Sequence, residues 1–226
     1  MSHLFADRFH AGRLLARHLQ HYVHRDDVIV LALPRGGVPV AFEVARHLNA
    51  PLDVFLVRKL GVPGHPELAM GAIATGGVQV LNDAVVYELD IPRGEIDAVA
   101  WDEIRELRRR EAKYRGHGEC PRIANKTVIL VDDGIATGST MRAAARAIRL
   151  QKPSHLIIAA PVAAFATAQA IHGEADELVI LATPQDLIAV GQWYENFEQT
   201  TDEEVTELLD KARQQHHLEN GSMLHA

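Results

Sequence analysis

Five short runs along the chain are apolar almost throughout: Val28–Leu33, Leu52–Val57, Thr127–Val131, His155–Pro161 and Leu178–Ala182. Each is rich in Val, Ile and Leu and lacks the alternation of a half-exposed strand, which is the pattern of strands buried on both faces of a parallel sheet. Helical periods separate most of them, over Val38–Leu48, Ser139–Leu150 and Ala163–His172. That alternation predicts an α/β fold with a doubly wound, mostly parallel sheet of about five strands. Ligands of such sheets sit beyond the carboxyl ends of the strands. Arg35–Gly37, Arg58–Lys59 and Asp132–Thr140 each closely follow a predicted strand, so the candidate chemistry collects at one edge.

The rhythm breaks between Leu60 and Arg115. Gly61, Pro63, Gly64 and Pro66 predict a loop, and Ala69–Ala74 with Val78–Leu81 around Thr75-Gly76-Gly77 predict a β-hairpin. A charged helix is expected from about Arg93 to Tyr114, with Pro92 just before it. Insertions between strands that flank a site often serve as mobile lids, and this one is expected to. A helix over about Ala6 to His21 and everything from Thr183 onward lie outside the core repeat; they are expected to form a hood over the site. The expectation is one domain over 1–226, with its core at about 28–182, the insertion at about 60–115 and a C-terminal segment at 183–226.

Composition narrows the classes. The 226 residues are 47% hydrophobic, enough for a sizeable core, and the formal charge of −7 argues against a nucleic-acid footprint. Cys120 is the sole cysteine, so no disulfide within the chain and no thiolate zinc cage can form. No secretory leader and no run long enough to span a bilayer is visible, which predicts a soluble, cytoplasmic protein without a membrane partner. The thirteen histidines scatter; His18, His21 and His24 step by three and rotate off any one helical face, so they make no metal site. Arg108, Arg109, Arg110 and Lys113 interleave with Glu106 and Glu111, a salt-bridged solvent face rather than a nucleic-acid patch. Trp101 and Tyr114 are expected to pack.

The densest chemistry lies in Val128-Ile-Leu-Val-Asp-Asp-Gly-Ile-Ala-Thr-Gly-Ser-Thr-Met141. An apolar strand ends in Asp132 and Asp133, which can accept hydrogen bonds from two neighbouring hydroxyls of a ribose. Gly134, Ile135, Ala136, Thr137, Gly138, Ser139 and Thr140 then offer backbone N–H groups and hydroxyls to an anion at a helix N-terminus. A ribose 5-phosphate unit carries both groups. One Asp could simply cap the helix, but two acids followed by Thr-Gly-Ser-Thr exceed what a cap needs. A dehalogenase-type acid pair fails on geometry, because adjacent strand residues point to opposite sides. Arg35, Gly36 and Gly37 can be both a tight turn and a place where phosphate approaches backbone. Arg58 and Lys59 suit a pyrophosphate better than a solvated strand end. Trp193 and Tyr194 could stack on a base or anchor the C-terminal segment, and the sequence leaves that open. Glu67 reads as a solvated loop acid.

The segment Val131–Thr140 resembles the phosphoribosyl-diphosphate (PRPP) binding motif of type I phosphoribosyltransferases. Leu33-Pro-Arg-Gly-Gly-Val38 is similar to that family's pyrophosphate loop after the first strand, and Val57-Arg-Lys-Leu60 to the basic end of the second strand. The likeness covers about Val28 to Ala182. Ala189–Phe197 and Pro66–Ile73 resemble an uncharacterised branch of predicted members rather than the familiar purine and pyrimidine enzymes. The resemblance implies transfer of the 5-phosphoribosyl group from PRPP to a nitrogenous base, with release of pyrophosphate. It implies Mg2+ held near Asp132 and Asp133 largely through substrate and water, and a homodimer. It places Asp132, Asp133, Arg58 and Lys59 in the chemistry, and the N–H groups of Gly36 and Gly37 on pyrophosphate. It also implies a strained peptide, with cis as one form, at Arg35–Gly36. A PRPP- or nucleotide-sensing regulator without turnover and a hydrolase of a ribosyl phosphate are the alternatives.

Overall fold

The computed structural model describes residues 4–116, 118 and 120–223, with side chains described as far as residue 216. Five parallel strands make the main sheet: β1 (Val28–Ala32), β2 (Leu52–Val54), β6 (Thr127–Val131), β7 (His155–Val162) and β8 (Glu177–Ala182), in the order β2-β1-β6-β7-β8. A second, antiparallel sheet holds β3 (Val57–Val62), β4 (His65–Ala74) and β5 (Val78–Leu81) in that order. The helices are α1 (Arg8–His18), α2 (Gly37–Leu48), α3 (Asp83–Glu88), α4 (Arg93–Arg115), α5 (Ser139–Leu150), α6 (Phe165–Ile171) and α7 (Asp202–Met223).

Alternation along β1 and β6 divides the core in two. Val28, Val30, Ala32, Ile129 and Val131 face the layer of α1, α2 and α7. Ile29, Leu31, Val128 and Leu130 face α5 and α6. Side chains at successive strand positions leave opposite faces, so a run apolar at every position is what a sheet covered on both sides requires.

Three expectations shift. The apolar run from Leu52 to Val57 serves two sheets: β2 ends at Val54, and β3 starts the second sheet at Val57. Thr75 captures the chain between them, its Oγ1 accepting from the Leu56 N–H at 2.9 Å and its own N–H donating to the Leu56 carbonyl at 2.9 Å. The expected loop over 61–66 is instead a hairpin around Pro63 and Gly64, the latter at φ 77°. Its irregular register around Gly61 accommodates the Pro66 backbone, against which a Cβ at Gly61 would clash. Finally α6 starts at Phe165 rather than Ala163, because Ala163 forms a bridge with Ile135.

The second sheet packs on both faces over part of its length. Leu60, Met70 and Ile73 join a cluster with Ile96, Ala100 and Leu107 of α4. Ala74, with Val57, Val78 and Val80, packs on the α5 side. The hairpin turn at Gly76 and Gly77 uses φ of 84° and 73°, values that favour glycine. Trp101 departs from its expected packing role: it sits on the outer face of α4 and is 64% exposed. Among the described residues no helix is long and apolar enough to cross a membrane.

Candidate active site

The acid doublet sits where expected, beyond the end of β6, and the turn after β1 lies against it. The Leu33 N–H donates to the Val131 carbonyl at 2.9 Å, extending the pairing of the two strands to this point. A Cβ at Gly36 would overlap the Asp133 carboxylate, and one at Gly37 would come within 2.8 Å of the Val131 carbonyl. Glycine here permits the contact between the two segments. The cis peptide in this turn is Pro34–Arg35, one bond before the Arg35–Gly36 bond implied by the resemblance. The Gly37 N–H is committed to the Leu33 carbonyl at 3.1 Å, so of the two glycine donors expected for pyrophosphate only that of Gly36 stays available.

The loop after the doublet divides its backbone in the same way. The Ile135 N–H donates to the Val162 carbonyl at 2.8 Å and pins the loop to β7. The N–H groups of Ala136, Thr137 and Gly138 have no acceptor among the described residues, and they precede the first turn of α5. Gly138 adopts φ 72°. Ala136, Thr137, Ser139 and Thr140 are exposed, and the hydroxyls of Thr137 and Ser139 lie 3.2 Å apart. Free N–H groups and hydroxyls at a helix N-terminus form an anion receptor.

Two segments far apart in sequence, residues 4–8 and 193–198, close over the doublet. Residues 4–6 pair with 193–196: the Phe5 N–H donates to the Trp193 carbonyl at 3.0 Å, and the Glu195 and Asn196 N–H groups donate to Phe5 and Ala6 at 2.8 and 2.9 Å. Asp7 caps α1 by accepting from the His10 N–H at 2.6 Å. That cap aims Arg8 inward. Its Nε donates to Asp133 Oδ2 at 2.7 Å, its Nη1 to the Glu198 carbonyl at 2.7 Å, and its guanidinium lies 3.8 Å above the Phe197 ring. Side-chain exposure is only 11% for Arg8 and 14% for Asp133. Sequence reasoning missed Arg8, since one arginine in an amphipathic helix carries no local signal of a partner 125 positions away.

Tyr194 is an anchor, not a base platform. It is buried, with Phe5 and Phe197 rings 5.3 and 4.9 Å away, and its hydroxyl donates to the Asp133 carbonyl at 2.6 Å. Trp193 is partly buried against the same cluster. Val190 covers Gly134, where a Cβ would collide with it.

The expected cation pair is split. Arg58 and Lys59 are adjacent in β3 and therefore point to opposite faces. Arg58 Nε is held by Glu103 of α4 at 2.6 Å. Lys59 faces the α5 side, its Nζ donating to the Glu67 carbonyl at 3.1 Å. Glu67 is exposed, as expected of a loop acid, although it lies in β4. Arg35 lies 3.9 Å from Asp202 of α7, which Lys113 and Tyr114 of α4 also contact, at 2.8 and 2.5 Å.

Burial governs the electrostatics of the doublet. It pushes Asp132 well above the ordinary carboxylate range, and the neighbouring charge of Asp133 adds to the rise. Burial raises Asp133 too, while Arg8 pulls it back toward ionisation. Among the described residues no three His, Cys, Asp or Glu side chains converge as a metal cage.

Comparison with known proteins places this geometry. A model of the phosphoribosyl transferase domain matches residues 6–191. Proteins from two strains of Mycobacterium tuberculosis, both provisionally named phosphoribosyl transferases, are 49% identical over 210 residues. The match covers 92% of this chain and 47% of each of theirs, so the chain spans about half the length of these relatives. The crystal structure of TT1426 from Thermus thermophilus superposes with a TM-score of 0.82 at 40% identity, over 92% of this chain and 98% of that one.

Proposed function

Because the chain belongs to the phosphoribosyl transferase domain family, we propose that it moves the 5-phosphoribosyl group of PRPP onto a nitrogenous, nucleobase-like acceptor and releases pyrophosphate. One observation carries the reading: the Gly36 turn, the Asp132–Asp133 doublet and the open N–H groups before α5 meet at the end of β1 and β6. In this reading Asp132 and Asp133 accept from the 2′ and 3′ hydroxyls. The N–H groups of Ala136, Thr137 and Gly138 hold the 5′ phosphate with the Ser139 and Thr140 hydroxyls. Arg35 and the Gly36 N–H meet pyrophosphate, and Lys59 adds charge from the small sheet.

The chemistry asks little covalent work of the protein. Breaking the C1′–O bond builds positive charge on the ribose ring and negative charge on the leaving group. Carboxylates beside the sugar and donors beside the pyrophosphate stabilise both, provided that they are already in place. The hood of residues 4–8 and 190–198 limits water around the doublet. Two hard carboxylates, with no third such ligand among the described residues, suit Mg2+, which is usually held by one or two carboxylates with substrate and water completing the shell. Asp132 and Asp133 are the residues that would hold it, and it would supply neutralisation of pyrophosphate charge. A cytoplasmic setting and a homodimer accompany this reading.

The test is pyrophosphate release on mixing the protein, PRPP, Mg2+ and a panel of purines and pyrimidines. Release that depends on one base supports the transfer and identifies the acceptor. Tight PRPP binding without release under any condition identifies a sensor, and release without a base identifies a hydrolase. Absence of any affinity for PRPP or a nucleoside monophosphate by calorimetry removes the reading altogether.

A further inference from the structure

A cavity of about 330 Å3 lies between the small sheet and the first two turns of α5. None of its lining residues belongs to the acid doublet, the Arg35 turn or the hood. Its origin is a change of side-chain size along the sheet. Where β3, β4 and β5 meet at Val57, Ala74 and Val78, the sheet packs on the α5 core. Farther along, Ala69, Gly71 and Ala72 line this side while Met70 joins the α4 cluster, and side chains this small leave the space open. The volume is at the lower end of ligand pockets, room for one ring with a polar head.

Its charge is unbalanced. Lys59, Arg142 and Arg146 line it. Arg146 takes both oxygens of Glu174, at 2.7 to 3.1 Å. Arg142 Nε is left 3.8 Å from that carboxylate, beyond hydrogen-bond reach, and it is buried without a hydrogen-bond partner among the described residues. The Arg142 side chain as a whole is 39% exposed and has no hydrogen-bonded carboxylate, and an anionic oxygen is the group that suits its guanidinium best. Lys59 Nζ has the Glu67 carboxylate 3.6 Å away, but that side chain is almost fully exposed and its charge is screened by water. The hydroxyls of Ser139 and Thr140 complete the polar wall.

We propose that this cavity is a second ligand site, for a small organic anion whose phosphate or carboxylate head sits at Arg142 and Lys59 and whose flat apolar ring lies over Ala69 and Ala72. The site shares Lys59, Ser139 and Thr140 with the transferase reading but no residue with the doublet, so removing the doublet separates the two.

Calorimetry with phenyl phosphate as the joined probe, and with inorganic phosphate and phenol as its halves, tests the idea. Benzoate in place of phenyl phosphate distinguishes the carboxylate head from the phosphate head. At least one joined probe is expected to bind about tenfold or more tighter than either half. Binding should survive within about twofold in the Asp132→Asn, Asp133→Asn double variant, and fall about tenfold or more in Arg142→Met. Ala72→Leu should block the ring while leaving inorganic phosphate unaffected; Ala69→Leu, at a less buried position, gives the same readout if Ala72→Leu does not fold. The proposal is overturned if neither joined probe binds the wild type, if the doublet variant loses the binding, or if Arg142→Met and the leucine variants leave it unchanged.

Discussion

Two buried arginine–carboxylate sites occupy opposite roles in this molecule. Arg115, the last residue of α4, holds Asp53 of β2 at 2.9 and 3.0 Å, donates to the Val54 carbonyl at 2.8 Å and lies 3.0 Å from Glu111. Arg8 of α1 holds Asp133. Both arginines come from helices far away in sequence, and burial raises the pKa of both partner acids against the pull of the arginine. The difference lies in what remains. Around Arg115 each acid touches the guanidinium. At the doublet Arg8 pairs with Asp133 alone of the two acids, and Asp132 accepts from the Asp133 backbone N–H at 2.8 Å with no cation within ion-pair distance among the described residues. A closed site holds elements together. Both sites set two carboxylates against one guanidinium, but a site in which one buried carboxylate lies out of the guanidinium's reach costs stability and keeps a demand for a partner, which is how binding sites differ from struts.

Removing both acids of the open site is the strongest way to separate the two. Asp132→Asn with Asp133→Asn should lower PRPP affinity by about 100-fold or more, since each charged hydrogen bond lost is worth roughly 1.5–3 kcal/mol. The unfolding midpoint should fall less than at the closed site, because relief of the Asp132 burial penalty offsets part of the cost of leaving Arg8 without its carboxylate. Isothermal calorimetry and thermal unfolding measure the two quantities on one sample. Retained affinity would mean that the doublet is a second strut.

The closed site should answer in the opposite way. Arg115→Met strands Asp53 and Glu111 in the interior and is expected to cost about 3–5 kcal/mol of folding stability. PRPP affinity of the folded fraction should change by less than about threefold, because Arg115 is not among the residues that meet at the Gly36 turn. Urea unfolding with calorimetry below the transition checks both parts. A variant as stable as the wild type would show that Arg115 is replaceable packing.

The same contrast marks what the sequence discloses. β1, β6 and β7 are legible because a strand covered on both faces must be apolar at every position, and Asp132–Asp133 stands out because a carboxylate doublet ends such a run. Arg8 is invisible for the opposite reason: its meaning comes from a contact across 125 positions, produced by the pairing of residues 4–6 with 193–196. The Arg58–Lys59 pair falls between these cases. Strand alternation separates adjacent side chains, yet Gly61, Pro63, Gly64 and Pro66 make 61–66 look like a loop, so nothing in the pattern announces β3. The division of Leu52–Val57 between two sheets is hidden similarly, since an apolar run is compatible with either partner and Thr75 decides from 19 positions away.

Arg8 tests whether the hood acts on the open site or only covers it. If Arg8 orients Asp133 for a diol, Arg8→Met should weaken PRPP binding about tenfold, the loss of one charged contact. Arg8→Lys should recover only part, because lysine lacks the planar fork that reaches Asp133 and the Glu198 carbonyl together. If Arg8 merely plugs the carboxylate, the methionine variant should bind PRPP more tightly than the wild type. The sign of the change in a titration decides between them.

The smallest expected effect is the most specific to the unpaired acid. Asp132→Asn preserves shape and removes the ionisable group. Burial holds the Asp132 pKa above its unfolded value, so the folded state binds the proton more tightly than the unfolded state does. The stability that this proton contributes is fully present below the unfolded value of about 3.9, and it is lost as the pH rises through the raised folded value. At pH 7 the wild type therefore carries a penalty that the asparagine variant lacks. The variant should melt higher, by about 2–4 °C for each kcal/mol relieved in a chain of this size. As the buffer is acidified toward pH 4 the wild type gains its proton and the two midpoints should converge. Asp27, which Arg25 and Thr127 hold down at about 2, keeps its charge over most of that range and is common to both proteins, so it cancels in the difference. A constant gap across the titration, or a variant that melts lower at neutral pH, would mean that Asp132 bears no burial penalty, and the distinction between the open and the closed acid would fall with it.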